Sequence, residues 1–124
     1  MEDIGSPGAE PRLAISEIEA PQPQEALVQA DEVIHASVDG DTIVVATAHL
    51  VGTSNYRTLD ELQARLDPDV FWRVHRSHLV NISKIKEIVP WFSRNYMLRM
   101  KDGKGTEIPV SRSQTKRLRD YLKL

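Results

Sequence analysis

Between Phe71 and Asn81 the chain reads Phe-Trp-Arg-Val-His-Arg-Ser-His-Leu-Val-Asn, setting guanidinium, imidazole and hydroxyl groups among apolar residues. Three chemistries use such groups. The pair His75 and His78 invites a metal, but zinc wants a third ligand and usually a fourth, and no Cys or nearby carboxylate supplies them. Ser77 beside His75 suggests a nucleophile, yet there is no sign of an elbow, an orienting acid or an oxyanion site. Arg76, and Arg112 in Ile108-Pro109-Val110-Ser111-Arg112 further on, suit a third use. A guanidinium donates two parallel hydrogen bonds to the O6 and N7 edge of guanine in the major groove.

Composition narrows the field. Zero cysteines exclude disulfides, thiolate metal sites and cysteine nucleophiles. Gly103-Lys104-Gly105-Thr106 lacks the earlier glycine and the strand-loop-helix setting of a phosphate-binding loop. No enzyme activity, cofactor or metal is therefore expected. No apolar run approaches the roughly 20 residues that cross a bilayer, and the N-terminus lacks the basic-then-apolar order of a secretory signal, so a soluble, intracellular protein is expected. The formal net charge of -2 hides a division. Residues 1–70 hold 3 Arg and 14 Asp or Glu, a net of -11, whereas residues 71–124 hold 13 Lys or Arg and 4 Asp or Glu, a net of +9. The basic half would attract a polyanion. Its charge has a plainer use as well, in solvated surface or in pairing with the acidic half.

The segment from Phe71 to Asn81 resembles the HRS-x-L-V-N signature of LytTR-type DNA-binding domains, the output modules of many bacterial transcription regulators. Ile108 to Arg112 is similar to that family's second motif. The likeness runs from about Asp31 to Leu122 and is strongest over Phe71 to Ile88 and Glu107 to Arg119. It implies a mainly β fold with two short helices and short antiparallel sheets, in which loops enter the major groove. It implies sequence-specific binding of promoter DNA, as the cytoplasmic output domain of a two-component response regulator. Two copies would occupy a direct repeat, and a sensory or receiver domain would lie upstream, since 124 residues leave no room for one.

By the same resemblance Arg76 and Arg112 lie on DNA-facing loops and read bases in successive grooves. Ser77, Lys84, Arg94, Ser111, Ser113 and Lys116, near them in sequence, would hold phosphates and fix register. His78 stands where the family commonly has an aromatic residue. Facing a phosphate, it would strengthen binding as pH falls, from a reference pKa near 6.5. His75 is expected to orient its loop by hydrogen bonding. Asn81 would pair with adenine or, the preferred role, tie backbone groups in a turn. In the loop Asp39-Gly40-Asp41-Thr42 two acids would repel phosphates, so it contributes little unless Asp41 accepts from a cytosine amino group. The competing class is a protein-interaction module whose basic half docks an acidic partner, with Trp91 and Phe92 as contact patch.

The elements that must position these residues follow from periodicity and punctuation. Residues 1–25, with Pro7, Pro11, Pro21 and Pro23 among acids and small residues, read as a flexible tail or linker, with a short edge strand near residues 12–18 as its one structured option. Residues 26–124 form the domain. Asp39-Gly40 predicts a tight hairpin between Glu32–Val38 and Thr42–Ala46. A strand is expected around Tyr56-Arg57. Thr58, three residues before Glu61, predicts a capped helix burying Leu59, Leu62 and Leu66, closed by Pro68. Short strands are expected at 71–74, 79–82, 85–89, 96–100 and 107–110, with a turn at 91–95. A last helix, capped by Ser111 or Ser113, buries Leu118, Tyr121 and Leu122 and leaves Lys116, Arg117, Arg119 and Lys123 largely outside.

Overall fold

Alternation of apolar and polar residues in short runs, punctuated by Gly, Pro and Asp, gives ten strands and two helices in the computed structural model, which describes residues 12–17, 25–92 and 95–122. The strands are β1 (Arg12–Glu17), β2 (Glu25–Gln29), β3 (Val33–Asp39), β4 (Thr42–Thr47), β5 (Val51–Ser54), β6 (Phe71–His75), β7 (His78–Asn81), β8 (Ile85–Pro90), β9 (Tyr96–Met100) and β10 (Glu107–Val110); the helices are α1 (Leu59–Ala64) and α2 (Arg112–Leu122). The first seven strands form one antiparallel sheet in the order β2-β1-β5-β4-β3-β7-β6, and the last three form a second in the order β10-β9-β8.

Two cores lie against the large sheet. Val33, Ala36, Ile43, Val45, Phe71 and Leu79 pack with Leu59, Leu62 and Leu66 from α1 and the turn after it. Ile34, Val74 and Val80 pack with Ile85, Leu98, Met100, Ile108 and Val110 of the small sheet and Leu118 of α2. Strand alternation would send Val33 and Ile34 to opposite faces in any case. Beyond them β3 carries a bulge between Val33 and His35, and β6 another between Arg73 and His75. A bulge breaks the period of two. Thus Arg73 reaches α1 while Val74 enters the second core and the His75 ring still meets that of His78, centroids 5.3 Å apart.

Several local expectations hold. Gly40 takes φ 64° in the β3–β4 turn, a value that favours glycine over residues with a Cβ. Thr58 accepts from the Glu61 N–H at 3.1 Å and Glu61 accepts from Thr58 N–H at 3.3 Å, closing the capping box. Others are corrected. Arg12–Glu17 is a strand within the large sheet, between β2 and β5, and so neither tail nor edge. The strand expected at Tyr56-Arg57 is instead β5 at Val51–Ser54. The Tyr56 N–H donates to Ser54 Oγ at 3.0 Å in the loop, and the Tyr56 ring packs on the first core. Arg117 is not simply an outward charge, because its guanidinium lies 3.8 Å over the Trp72 ring, which also meets Tyr121 edge on.

Candidate nucleic-acid interface

Antiparallel pairing decides which loops share an end of the molecule. Ser37 pairs with His78 and the Val38 N–H donates to Ser77 O at 3.0 Å, placing the β3–β4 turn beside the β6–β7 turn that carries Arg76. The Ser111 N–H donates to Val74 O at 2.8 Å, bringing the β10–α2 junction and Arg112 to the same end. Asn95, in the β8–β9 turn, accepts from Arg112 Nε at 3.5 Å. Four connections distant in sequence thus converge, with Arg76, Ser77, Ser111, Arg112 and Ser113 among them.

Both arginines are exposed, and among the described residues no carboxylate pairs with either. Of the first-half acids, Asp60 is engaged by Arg73 at 2.6 Å. Ser111 Oγ and Ser113 Oγ lie 3.2 Å apart. The Ser111 carbonyl accepts from Gln114 N–H and from the Thr115 hydroxyl, which anchors the start of α2. Lys116 is exposed one turn into α2 and pairs with Asp120 at 3.4 Å, a contact worth little in water.

Lys84 is a correction. It ends the short helical turn Ile82–Lys84 just before β8, at the far end of the small sheet, where its carbonyl accepts from Lys101 N–H, and it borders a hollow with Asp31 and Glu32. Arg94 lies outside the described residues. Asn81 is buried, donating to Val33 O at 3.1 Å and accepting from Ser83 N–H at 3.0 Å, so it takes the structural role and no base can reach it. His75 Nδ1 accepts from Ser77 N–H at 3.1 Å and so shapes the Arg76 turn. Asp39 and Asp41 are exposed beside that turn.

A family model for the LytTr DNA-binding domain matches residues 24–123. The chain belongs to that family. The LytTr domain is 47% identical over 66 residues to the transcriptional regulatory protein YpdB of Escherichia coli K12, covering 53% of this chain and 27% of YpdB. It is 41% identical over 97 residues to the sensory transduction protein LytT of Bacillus subtilis, covering 77% of this chain and 39% of LytT. The chain therefore spans well under half the length of these relatives. Its fold is similar to that of the LytTr DNA-binding domain of a Bacillus cereus protein described as a methyl-accepting/DNA response regulator, with a TM-score of 0.71, 28% identity and coverage of 90% of this chain and 98% of that one. The mainly β architecture expected from the sequence is that of the family, and a DNA-binding domain of transcription regulators is not an enzyme class. No helix among the described residues is long and apolar enough to cross a membrane. Among them too, no three His, Asp or Glu side chains converge as a metal site requires.

One residue of the LytTr domain escaped the sequence reading. The Arg73 guanidinium donates to Asp60 and to Gln63 Oε1 of α1, and its Nε donates to the carbonyls of His75 and Arg76 at 3.2 and 3.1 Å. It clamps the Arg76 turn onto α1. The available signal was an arginine three residues before Arg76 on a strand whose neighbours face a core. A side chain spanning that turn had to be tied down or left unpaired.

His78 corrects a further expectation. It is half-buried, its Nδ1 is shielded and unpartnered, and its pKa is pushed down to about 4 by burial first, then by His75 and His35. Without DNA its ring is thereby held neutral at physiological pH, which works against a protonated phosphate grip. Burial also lowers the pKa of His35, with Asp102 4.0 Å away opposing the shift. Both folded pKa values lie below the unfolded one, so the unfolded chain binds more protons once pH drops below about 6.5. Stability falls from there and levels out for His78 below about 4. We expect a loss of about 1 kcal/mol between pH 7 and pH 5 from His78, discounted for partial exposure. Urea unfolding of wild type and His78→Phe at the two pH values checks this, and an equal loss in both proteins would rule it out.

Proposed function

We propose that this domain is the DNA-reading end of a response regulator, binding promoter sites sequence-specifically through loops. The observation that carries the assignment is the convergence at one end of the sheets of two exposed arginines, neither paired with a carboxylate among the described residues, on turns fixed by backbone hydrogen bonds. Arg76 and Arg112 read bases. Ser77, Ser111, Ser113 and Lys116 hold phosphates, Arg94 joins them, and His78 supports the Arg76 turn as a neutral, half-buried ring. Lys84 has no part at this end. Asp39 and Asp41 keep the β3–β4 turn from adding a phosphate contact.

The binding unit comprises the family-matched residues 24–123 together with β1, which pairs into the same sheet, and a receiver or sensory domain lies upstream of it. The names of longer relatives, a transcriptional regulator and a sensory transduction protein, support that organisation and work in the cytoplasm. Two copies bind a direct repeat, each domain setting Arg76 and Arg112 in successive grooves. A module that merely docks an acidic protein has less support, since the family is a DNA-binding one.

Site selection from a random duplex pool tests this. Wild type should enrich a repeated motif, and log K against log salt should fall with a slope of about -0.9 for each phosphate neutralised. Folded protein that enriches no motif, or whose affinity ignores salt, would refute the proposal.

A further inference from the structure

We propose, building on the DNA-facing assignment above, that the exposed pair Trp91 and Phe92 is a third DNA contact, an apolar one that packs on the deoxyribose edge of the strand flanking the groove entered by Arg112. Trp91 is 50% and Phe92 74% exposed, whereas Ile85 of β8 and Leu98 and Met100 of β9 are buried in the second core, with Ile88 and Tyr96 packed against it. The two rings meet edge to face, centroids 5.2 Å apart, and neither belongs to either core.

The turn that carries them is tied at both ends. Trp91 N–H donates to Asn95 O at 2.7 Å and Asn95 N–H to Phe92 O at 2.9 Å. The Asn95 side chain in turn accepts from Arg112 Nε. The aromatic pair is thus one hydrogen-bonded residue away from the Arg112 guanidinium.

An apolar patch this exposed calls for an occupant. Its neighbours decide which one. Arg112, at the start of α2, reaches the same turn through Asn95, and Arg76 and Lys116 are exposed cations of the same basic half of the chain. A surface that mixes exposed rings with cations fits a nucleic-acid strand, which offers phosphates to the cations and sugar carbons to the rings. A protein partner there would compete with DNA for the same end. Two rings at 71° to each other present no flat wedge to slide between base pairs, so the strand edge is the contact and the bases stay stacked.

An apolar contact with sugar releases no counterion and reads no base. Trp91→Ala and Phe92→Ala should each weaken binding about tenfold on the selected site and on random duplex alike, with the salt slope unchanged. Both positions are exposed, and circular dichroism should show an unaltered fold. In a Trp72→Phe protein Trp91 is the sole tryptophan, and its fluorescence should change on adding duplex. Wild-type affinity in both alanine variants, or unchanged Trp91 fluorescence at saturation, would overturn the proposal. A loss confined to two-site duplex, with single-site binding intact, would make the pair a contact between two copies and overturn it equally. If Arg76→Ala and Arg112→Ala also bind as wild type, the DNA-facing assignment itself has failed. Impaired Arg112→Ala beside unimpaired Trp91→Ala would sink only the aromatic contact.

Discussion

Arg112→Ala will bind the preferred duplex more weakly by about 1 to 3 kcal/mol while random duplex loses less. The guanidinium is exposed in the first turn of α2, and its one polar contact among the described residues, to Asn95 at 3.5 Å, is long. Nothing in either core depends on it. The loss should therefore appear in affinity alone, with the urea midpoint unchanged. Arg76→Ala should behave alike at a different base position, since the two arginines sit on separate turns. Lys116→Ala supplies the contrast, weakening specific and random binding together and reducing the salt slope by about 0.9. Equal losses by Arg112→Ala on both duplexes would mean that Arg112 holds a phosphate and reads no base.

Much of this end could be foreseen because its elements are set by local rules. Asp39-Gly40 fixes a tight turn, Thr58 with Glu61 fixes a helix start, and the spacing of Leu59, Leu62 and Leu66 fixes its buried face. Arg76 and Arg112 stood out because each sits in a motif similar to a family's. What brings them together was hidden, because a hydrogen bond from Ser111 to Val74 is a long-range event with no local signature. The same holds for Lys84. Its nearness to Arg76 in sequence suggested a shared role, yet β8 carries the chain from one end of the small sheet to the other, at about 3.3 Å per residue.

The bulges in β3 and β6 were equally silent in the sequence. They reassign faces, so that Arg73 holds α1 and the Arg76 turn while Val74 fills a core. β1 was hidden by the prolines and acids that flank it, whose composition suits a linker. Only pairing with β2 and β5 makes Arg12–Glu17 a strand. His78 misled for the opposite reason. Its type suggests a proton switch, but its register opposite Ser37 places it in a half-buried cluster with His75 and His35, where the charged form is disfavoured.

The largest loss of stability should come from Leu118→Ala, which we expect to cost about 2 to 5 kcal/mol. Leu118 is fully buried against Val74, Leu98, Ile108 and their neighbours, and α2 has no other fully buried side chain among its described residues. Its remaining hold on the sheets is peripheral: Arg117 and Tyr121 on Trp72, Arg119 near Tyr96, and Leu122 packing at the edge of the core. Truncating Leu118 therefore both opens a cavity and loosens the helix that begins at Arg112. Against a total stability of about 5 to 15 kcal/mol, the variant should stay folded in the cold but discriminate poorly between its site and random duplex. Leu66→Ala, in the core on the other face, should lower stability through the same cavity mechanism and leave discrimination intact. Urea unfolding paired with competition binding at low temperature separates the two effects. A stability loss below about 1 kcal/mol for Leu118→Ala would mean that α2 is not docked through this residue. Matching losses of discrimination in the two variants would show that softening anywhere in the fold, and not the seating of α2, governs base reading.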